Sequence, residues 1–378
     1  MTITHAAVID EPGGPFTIQD IDLDAARPHE VVVRMVAAGL CHTDLSVRAG
    51  ALPFPLPGVL GHEGAGIVES VGSSVTRVTP GDQVVLTFTS CGRCGSCRSG
   101  HPAYCDTWVP ANLIGGLRDD GSHTLRRAGV GIGGHFFGQS SFATRALVDE
   151  RSLVKVDTDV PLEVVAPLGC GIQTGVGAVL NVLAPAYGDS IAVFGAGAVG
   201  LAAVIAATWS NARQIIAIDL LEHRLQLAAE LGATHTINAT DHDVAAVIGE
   251  LTGGRGVDNA VESTGNTGVL RTAVTALAAR GGCAVVGAPP FGAEVALDVG
   301  GLIPGKRVIG VTEGDSEPET LIPFLVRQYQ AGRLPLEKMI TGYDFADINT
   351  AADAMHSGHA IKPVLYFPAA VELADLGF

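Results

Sequence analysis

Hydrophobic and polar positions follow two rhythms in the part of the chain between residues 172 and 312. Short apolar runs typical of β-strands alternate with helical stretches such as Leu221–Leu231, which is followed by a helix-stopping Gly232. Repeated strand–helix units of this kind predict an α/β fold, a doubly wound parallel sheet with helices on both faces. Six strands are predicted, at Ile191–Phe194, Ile215–Ile218, Thr234–Ile237, Val257–Val261, Cys283–Gly287 and Val308–Val311.

The turn after the first of these strands carries the pattern G-x-G-x-x-G, formed by Gly195, Gly197 and Gly200. Placed between a strand and a helix, the pattern predicts a dinucleotide site, because the glycines let a pyrophosphate approach the backbone at the helix N-terminus. Asp219 ends the next strand, where a carboxylate can bind the ribose hydroxyls and repel a 2′-phosphate, which favours NAD over NADP. Arg224 weakens this preference, since a nearby cation could accept the phosphate.

Cysteines give the most specific chemical signal in the first half of the chain. Four of the seven lie close together in a loop punctuated by glycines, at Cys91, Cys94, Cys97 and Cys105. Thiolates at this spacing can surround one tetrahedral zinc ion, and the sequence therefore predicts a structural zinc site. An iron–sulfur cluster would favour a shorter last spacer followed by proline, and a redox pair would not require four cysteines.

Three other residues are candidate metal ligands that lie far apart in the sequence. Cys41 follows a strand-like run at Glu30–Val36, and Cys170 follows a Pro-Leu-Gly segment. His62 lies in the run Gly-His-Glu-Gly at residues 61–64. Each of the three also has an ordinary structural interpretation. A single cysteine can be a small buried apolar residue, and a single histidine can be a polar residue with its hydrogen bonds satisfied. Spacing alone does not bring the three together.

Composition narrows the classes of function. The chain has 378 residues, of which 47% are hydrophobic and only 16% are charged. This length and composition predict two domains with large hydrophobic cores. The 39 acidic residues against 23 basic ones give a net charge of −16, which disfavours nucleic acid and anionic membranes as partners. The uncharged stretch Ile191–Ala212 is interrupted by glycines and predicts a buried strand–turn–helix instead of a membrane span. The first residues lack the basic region of a signal peptide, so a cytoplasmic protein is expected.

The chain resembles the zinc-dependent medium-chain alcohol dehydrogenase family along its whole length, and within it the aryl-alcohol (benzyl alcohol) and geraniol dehydrogenases. The resemblance is carried by Cys41–Leu45, Leu56–Gly66, the four-cysteine loop and Leu168–Gly175. It implies a β-rich, GroES-like catalytic domain, built from residues 1–171 and 313–378, that encloses a Rossmann NAD-binding domain of residues 172–312. It also implies a homodimer or homotetramer.

The resemblance further implies that Cys41, His62 and Cys170 bind a catalytic zinc ion, in addition to the structural zinc. The expected reaction is reversible oxidation of primary aromatic or allylic alcohols to aldehydes, with hydride transfer to NAD. Thr43 would carry the first departing proton, and Asp44 would orient His62 by accepting a hydrogen bond. Glu63 would act as a transient ligand of the metal. A glutathione-dependent formaldehyde dehydrogenase and a dehydrogenase of short aliphatic alcohols remain the alternatives.

Cofactor contacts are implied for a further set of residues: His42, Thr174, Gly195, Gly197, Val199, Gly200, Asp219, Arg224, Val286, Val311 and Lys362. Val199 would press on the nicotinamide ring, backbone groups of Val286 and Val311 would hold its carboxamide, and Lys362 would contact the pyrophosphate. His42 stands where many relatives have arginine, which predicts weaker retention of NADH above about pH 7.

Two features leave questions open. Ser46 occupies a position where many relatives have a histidine that completes the proton relay, so the proton must leave through water, the cofactor ribose or another residue. Phe88 and Trp108 are predicted to line an apolar substrate pocket, although large apolar residues also fill ordinary cores. The glycine-rich segment 107–141 could cover the substrate entrance or form a subunit contact.

Overall fold

A computed structural model describes residues 2–368 of the chain. It divides into two compact units. The first unit comprises the chain up to Cys170 together with the part from Glu317 on, and the second comprises Gly171–Ser316.

The strands of the described residues, numbered in chain order, are β1 Thr2–Ile9, β2 Thr17–Leu23, β3 Glu30–Gly39, β4 Gly58–Val59, β5 Glu63–Val71, β6 Gln83–Leu86, β7 Leu125–Arg127, β8 Val130–Ile132, β9 Arg145–Asp149, β10 Leu153–Lys155, β11 Ser190–Phe194, β12 Gln214–Asp219, β13 His235–Asn238, β14 Val257–Glu262, β15 Leu277–Val285, β16 Arg307–Gly310, β17 Ile340–Asp344 and β18 Lys362–Tyr366. The α-helices are α1 His42–Arg48, α2 Gly95–Arg98, α3 Leu162–Val165, α4 Gly171–Gly177, α5 Ala198–Trp209, α6 Glu222–Glu230, α7 Val244–Leu251, α8 Thr267–Thr275, α9 Val299–Leu302, α10 Pro318–Gln330 and α11 Ile348–His356.

The first unit is built on two largely antiparallel sheets around one hydrophobic core. One sheet has the strand order β4-β1-β2-β7-β8, and the other has the order β10-β6-β5-β3-β18-β17 with β9 also paired to β3. The long strands β3 and β5 pair in a register that sets Gly39 opposite Glu63. A side chain on Gly39 would collide with the Glu63 carboxylate, because a Cβ there would lie 2.1 Å from Oε2. The pairing therefore places a buried carboxylate where β3 ends and Cys41 follows.

The segment 107–141 packs as part of the first unit. It supplies the hairpin β7–β8 at the edge of the first sheet. Arg118 is buried in the segment and donates to both carboxylate oxygens of Glu30, with Nε–Oε1 at 2.6 Å, and to Asp24 at 2.8 Å. These bonds anchor the segment to the start of β3.

The second unit contains the parallel sheet that the sequence predicts. Its six strands have the order β13-β12-β11-β14-β15-β16, and every neighbouring pair is parallel. The fifth strand starts earlier than predicted, at Leu277 instead of Cys283. Its apolar pattern is interrupted by the exposed pair Ala279 and Arg280, where Arg280 adopts a left-handed φ of 66°. The fold class predicted from the hydrophobic pattern is confirmed.

Within residues 2–368, no single helix is long and apolar enough to cross a membrane, although one bent pair, Leu162–Gly169 with Gly171–Leu183, has the required length and composition.

Candidate active site

The first unit brings four potential metal ligands together: the side chains of Cys41, His62, Glu63 and Cys170, whose ligand atoms all lie within 4.8 Å of one another. His62 and Glu63 are fully buried, and Cys170 is almost so. The three residues implied as ligands of the catalytic zinc thus converge, and Glu63 lies beside them. This convergence arises from sheet pairing and loop packing, which the sequence spacing does not encode.

Local structure fixes the position of each ligand. Cys41 precedes the first turn of α1, and its backbone N–H donates to Asp44 Oδ2 at 2.9 Å. Gly61 has a φ of +92°, and a Cβ there would lie 2.5 Å from the Phe142 ring, so this turn before His62 requires glycine. Ahead of Cys170, the carbonyl of Gly169 accepts a hydrogen bond from the Thr87 hydroxyl at 2.9 Å.

Asp44 orients the imidazole of His62. The carboxylate is fully buried, and its Oδ1 accepts from the Gly61 N–H at 3.0 Å and lies 3.2 Å from His62 Nδ1. With Nδ1 engaged, Nε2 is the nitrogen left for the cluster, and among the described residues it has no hydrogen-bond partner although it is buried. A buried nitrogen without a partner is costly, and a metal ion beside two thiolates removes that cost. Arg48, four residues further along α1, instead donates from Nε to the carbonyl of Gly14.

The electrostatics of the cluster stabilise the thiolate of Cys41 and the charged form of His62, so a metal ion that binds here must displace the His62 proton. A hydrogen bond from Cys170 is the main cause that lowers the pKa of Cys41 well below its ordinary value, assisted by the charge on His62. The thiolate is the form of cysteine that binds metals. Burial acts to lower the pKa of His62, but Asp44 and Cys41 together raise it well above its ordinary value. The set of two thiolates and one imidazole suits zinc, and the residues therefore fit the catalytic ion.

Lys362, for which the resemblance implies a cofactor contact, is the buried partner of Glu63 in the structure. Its ammonium group is buried, donating to both oxygens of Glu63 at 2.9 and 2.8 Å and to the carbonyl of Leu40 at 2.9 Å. Burial opposes the charge, yet the Glu63 carboxylate raises the pKa of Lys362 above its ordinary value. All three donor bonds of the ammonium are thus used inside the first unit. In the structure β18 places this lysine as the partner of Glu63, and its contact with the pyrophosphate stays a prediction.

The four-cysteine loop forms a second compact cluster, with all four sulfur atoms within 4.8 Å of one another. Backbone N–H groups point at the sulfurs, among them Cys94 N to Cys91 Sγ at 3.3 Å and Cys91 N to Cys105 Sγ at 3.3 Å. Backbone hydrogen bonds from Cys97 and Asp106 lower the pKa of Cys94 to about 6. Burial and the neighbouring Cys94 raise the pKa of Cys97 to about 12, so the full set of thiolates requires a cation between them. This geometry fits the predicted structural zinc.

In the second unit, the glycine turn has the form that a dinucleotide needs. Gly195 adopts a φ of +95°, a Cβ on Gly200 would lie 1.8 Å from the carbonyl of Gly195, and a Cβ on Gly197 would meet nothing within 4 Å. The open space at Gly197 is where a pyrophosphate can approach the backbone. Asp219 is fixed at the end of β12, where its carboxylate accepts from the N–H of Ala196 at 2.7 Å and of Leu220 at 2.8 Å.

The other predicted cofactor residues lie as follows. Thr174 is buried in α4, Val199 lies in the first turn of α5, and Arg224 lies in the first turns of α6. The N–H of Val286 donates to Glu262 and that of Val311 to Val285, so a carboxamide contact would have to use their carbonyl oxygens. His42 is exposed in the first turn of α1, in the first unit. These cofactor contacts stay predictions.

The two predicted pocket residues differ in burial. Phe88 is 2% exposed and belongs to the hydrophobic core, so its lining of a substrate pocket stays a prediction. Trp108 is half-buried and packs edge-on against Phe137, with ring centroids 5.7 Å apart. The sequence analysis missed Phe136, Phe137 and Gln139, all of which contact His62. The His-Phe-Phe-Gly run at residues 135–138 was the available signal, but nothing in its spacing links it to position 62.

Comparison with known proteins agrees with this architecture. The family description "Alcohol dehydrogenase GroES-like domain" matches residues 27–158, and "Zinc-binding dehydrogenase" matches residues 198–327. The geraniol dehydrogenase of Castellaniella defragrans is 42% identical over 365 residues, covering 96% of this chain and 97% of that protein. The S-(hydroxymethyl)glutathione dehydrogenase of Synechocystis is 39% identical, over 96% of this chain and 100% of that protein.

Among solved structures, the benzyl alcohol dehydrogenase of Acinetobacter calcoaceticus superimposes with a TM-score of 0.94, at 45% identity, over 97% of this chain and 100% of that one. Similarity at this level over nearly the whole length, together with both cysteine-containing clusters and the glycine turn, establishes the family. The chain belongs to the zinc-dependent medium-chain alcohol dehydrogenases.

Proposed function

We propose that this alcohol dehydrogenase oxidises primary benzylic or allylic alcohols to aldehydes, with NAD as the hydride acceptor. The observation that carries the proposal is the buried cluster of Cys41, His62 and Cys170, in which His62 presents an unpartnered Nε2. The substrate class is supported by the names of two relatives that match nearly the whole chain, a geraniol and a benzyl alcohol dehydrogenase. In both named alcohols the hydroxyl-bearing carbon adjoins a double bond or an aromatic ring.

The residues of the first unit supply binding, orientation and a path for one proton. Zinc held by Cys41, His62 and Cys170 supplies a Lewis acid that favours loss of the proton from an alcohol hydroxyl. The Thr43 hydroxyl lies 3.7 Å from Cys41 Sγ, at the edge of the cluster, where it can accept that proton and pass its own onward. Ser46 follows Thr43 in α1 but is too weak a base to retain the proton near neutral pH, so water, the cofactor ribose or another residue must take it up.

Glu63 and Lys362 give the cluster a neutral buried neighbour. Both side chains are inaccessible to solvent, and the carboxylate is held by two short hydrogen bonds from the ammonium group. If Glu63 binds the metal transiently, it must exchange these bonds for the new one. Lys362 thus limits how readily Glu63 can act as a ligand.

The preference for NAD is supported by Asp219. Its carboxylate is held at the glycine turn by backbone N–H groups, which leaves a fixed negative charge beside the ribose position of a bound dinucleotide. Steady-state rates with NAD and NADP side by side test this part of the proposal. A higher kcat/KM with NADP would contradict it.

The substrate class is tested with a panel of benzyl alcohol, geraniol, ethanol and S-(hydroxymethyl)glutathione. We expect the first two to give the highest kcat/KM. Oxidation of S-(hydroxymethyl)glutathione is the second candidate function, favoured by the relative from Synechocystis, and would be established by a preference for that substrate. Zinc content of the purified protein should approach two ions per chain, one for each cluster. A homodimer or homotetramer and a cytoplasmic location stay predictions; light scattering and cell fractionation check them.

A further inference from the structure

A tight turn at Phe136–Gln139, called here the 136–139 turn, contacts the imidazole of His62 with two aromatic rings. The Phe137 ring is stacked on the imidazole, with centroids 4.3 Å apart and planes inclined by 21°. The Phe136 ring meets the same imidazole edge-on, with centroids 5.3 Å apart and planes at 84°. Both geometries are ones that aromatic pairs prefer.

The same turn also binds the backbone at His62 and at the residue two positions further on. The Gln139 side chain donates to the carbonyl of His62 at 3.0 Å and to that of Thr87 at 3.2 Å. Its Oε1 accepts from the N–H of Gly64 at 3.2 Å. The ring and the main chain of His62 are therefore both held by residues of the 136–139 turn.

Phe137 adopts a backbone conformation that the surrounding structure must enforce. Its φ of 49° and ψ of 33° lie in the left-handed region, which is unfavourable for a bulky side chain. The turn is closed by Ser140, whose hydroxyl accepts from the N–H of Phe136 at 2.9 Å and donates to the carbonyl of Val59 at 2.7 Å. Trp108 packs against the edge of the Phe137 ring. Strained residues of this kind persist where the neighbouring packing over-determines them, and they cluster at functional sites.

Asp44 alone leaves the imidazole one freedom of movement. The ring is joined to the main chain through Cβ and held at Nδ1 by one hydrogen bond of 3.2 Å, which still lets it tilt, and a tilt would carry Nε2 away from the sulfur atoms of Cys41 and Cys170. A ring stacked on the imidazole face removes this freedom. We infer that Phe137 is a positioning residue for the metal: its ring fixes the plane of His62 so that Nε2 points into the cluster. This inference rests on the zinc site of the proposed function.

The test compares Phe137→Leu with Phe137→Tyr and with Phe345→Leu. Phe345 is the matched control, because it is a buried phenylalanine of the same core paired with another ring, Phe367, at 4.5 Å. Zinc release to a chelator is followed in all variants, and His62→Ala identifies the ion that belongs to the His62 cluster. The visible absorption spectrum of the Co²⁺-substituted protein reports the ligand geometry directly.

We expect Phe137→Leu to bind the His62-cluster ion about three- to tenfold more weakly, the range that loss of one aromatic contact gives. Its Co²⁺ spectrum should change as well, whereas Phe137→Tyr and Phe345→Leu should match the parent protein in both measurements. Equal zinc release and equal Co²⁺ spectra in Phe137→Leu and Phe345→Leu would overturn the inference and leave the proposed function standing.

If Phe137→Leu does not fold, Phe137→Met, which keeps a similar volume without a ring, is measured in the same way with the same two outcomes. A parent protein that holds only the ion of the four-cysteine loop would overturn both the inference and the proposed function.

Discussion

The hydrogen bonds to Asp44 should determine both the stability of the first unit and its affinity for zinc. The buried carboxylate accepts from three donors: the N–H groups of Cys41 and Gly61, and the Nδ1 of His62. Asp44→Asn replaces one acceptor oxygen with an NH₂ donor, so at least one of these donors faces another donor. A buried donor left without an acceptor costs about 1–3 kcal/mol, and we expect Asp44→Asn to lower the free energy of unfolding by ~2 kcal/mol.

Asp44→Ala removes the acceptor for all three donors, and simple addition gives about 3–9 kcal/mol. Water entering the space left by the side chain should reduce this, so we expect ~4 kcal/mol, at the lower end. Both variants should also bind the His62-cluster ion more weakly, by about 10- to 100-fold, because groups that orient a metal-bound histidine typically have effects of that size.

The chain's two tryptophans allow the first unit to be measured by itself. Trp108 lies in the first unit and Trp209 in the second, so in a Trp209→Phe background the denaturant-induced change in fluorescence reports the first unit. Asp120→Asn is the matched control, since Asp120 is an exposed carboxylate of the same unit that accepts from the N–H of Ser122 and pairs with Arg27. An exposed pair of this kind contributes little to stability, because water and salt screen the charges. If Asp44→Asn resembled Asp120→Asn in both unfolding and zinc release, the orienting role of Asp44 would be refuted.

Three further predictions concern single side chains. Lys362→Met should destabilise the first unit by about 3–5 kcal/mol, because it leaves the buried Glu63 without its partner. The double variant with Glu63→Gln should recover much of this loss in the same fluorescence assay. Equal losses in the single and double variants would argue against the pair. The hydrogen bond from Arg255 lowers the pKa of Asp258 to about 2, so this pair stabilises the second unit above the unfolded carboxyl pKa of about 4 and loses its effect as the pH falls towards 2. Arg255→Met should therefore cost less than about 1 kcal/mol at pH 7, since the pair is partly exposed, and nothing near pH 2, as measured by hydrogen exchange in β14; a difference that persists at pH 2 would contradict this. His42→Arg should slow NADH release in stopped-flow fluorescence, because a guanidinium is always charged whereas an imidazole is not, and an unchanged or faster rate would refute the reasoning.

The sequence predicted well those features whose parts are contiguous along the chain. The four cysteines from Cys91 to Cys105 can meet around one ion because the loop between them is short. The glycine turn from Gly195 to Gly200 lies between a strand and a helix, as the local pattern indicates. The parallel sheet could be predicted because buried strands and amphipathic helices each leave a periodic pattern of their own.

The cluster of Cys41, His62 and Cys170 depends on contacts between residues that are distant in sequence. The resemblance to a family indicated these contacts, but the spacing of the residues did not. Cys41 meets His62 because β3 pairs with β5, and Cys170 joins them through the packing of the segment after β10. The spacing of apolar positions predicts which residues are buried, but not which buried residues face each other. Register and loop packing decide that.

Lys362 and Phe137 show what the tertiary structure alone determined. The resemblance implied only a cofactor contact for Lys362. The pairing of β18 with β3 also brings its ammonium group to Glu63, and the two buried charges stabilise each other. Phe137 had no assigned role, because its contact with His62 depends on a left-handed turn that hydrophobic periodicity does not describe. The sequence by itself determined the chemistry available to this protein, namely two sets of metal ligands and a dinucleotide turn. Only the fold decided which side chains hold those ligands in place, since that depends on long-range packing.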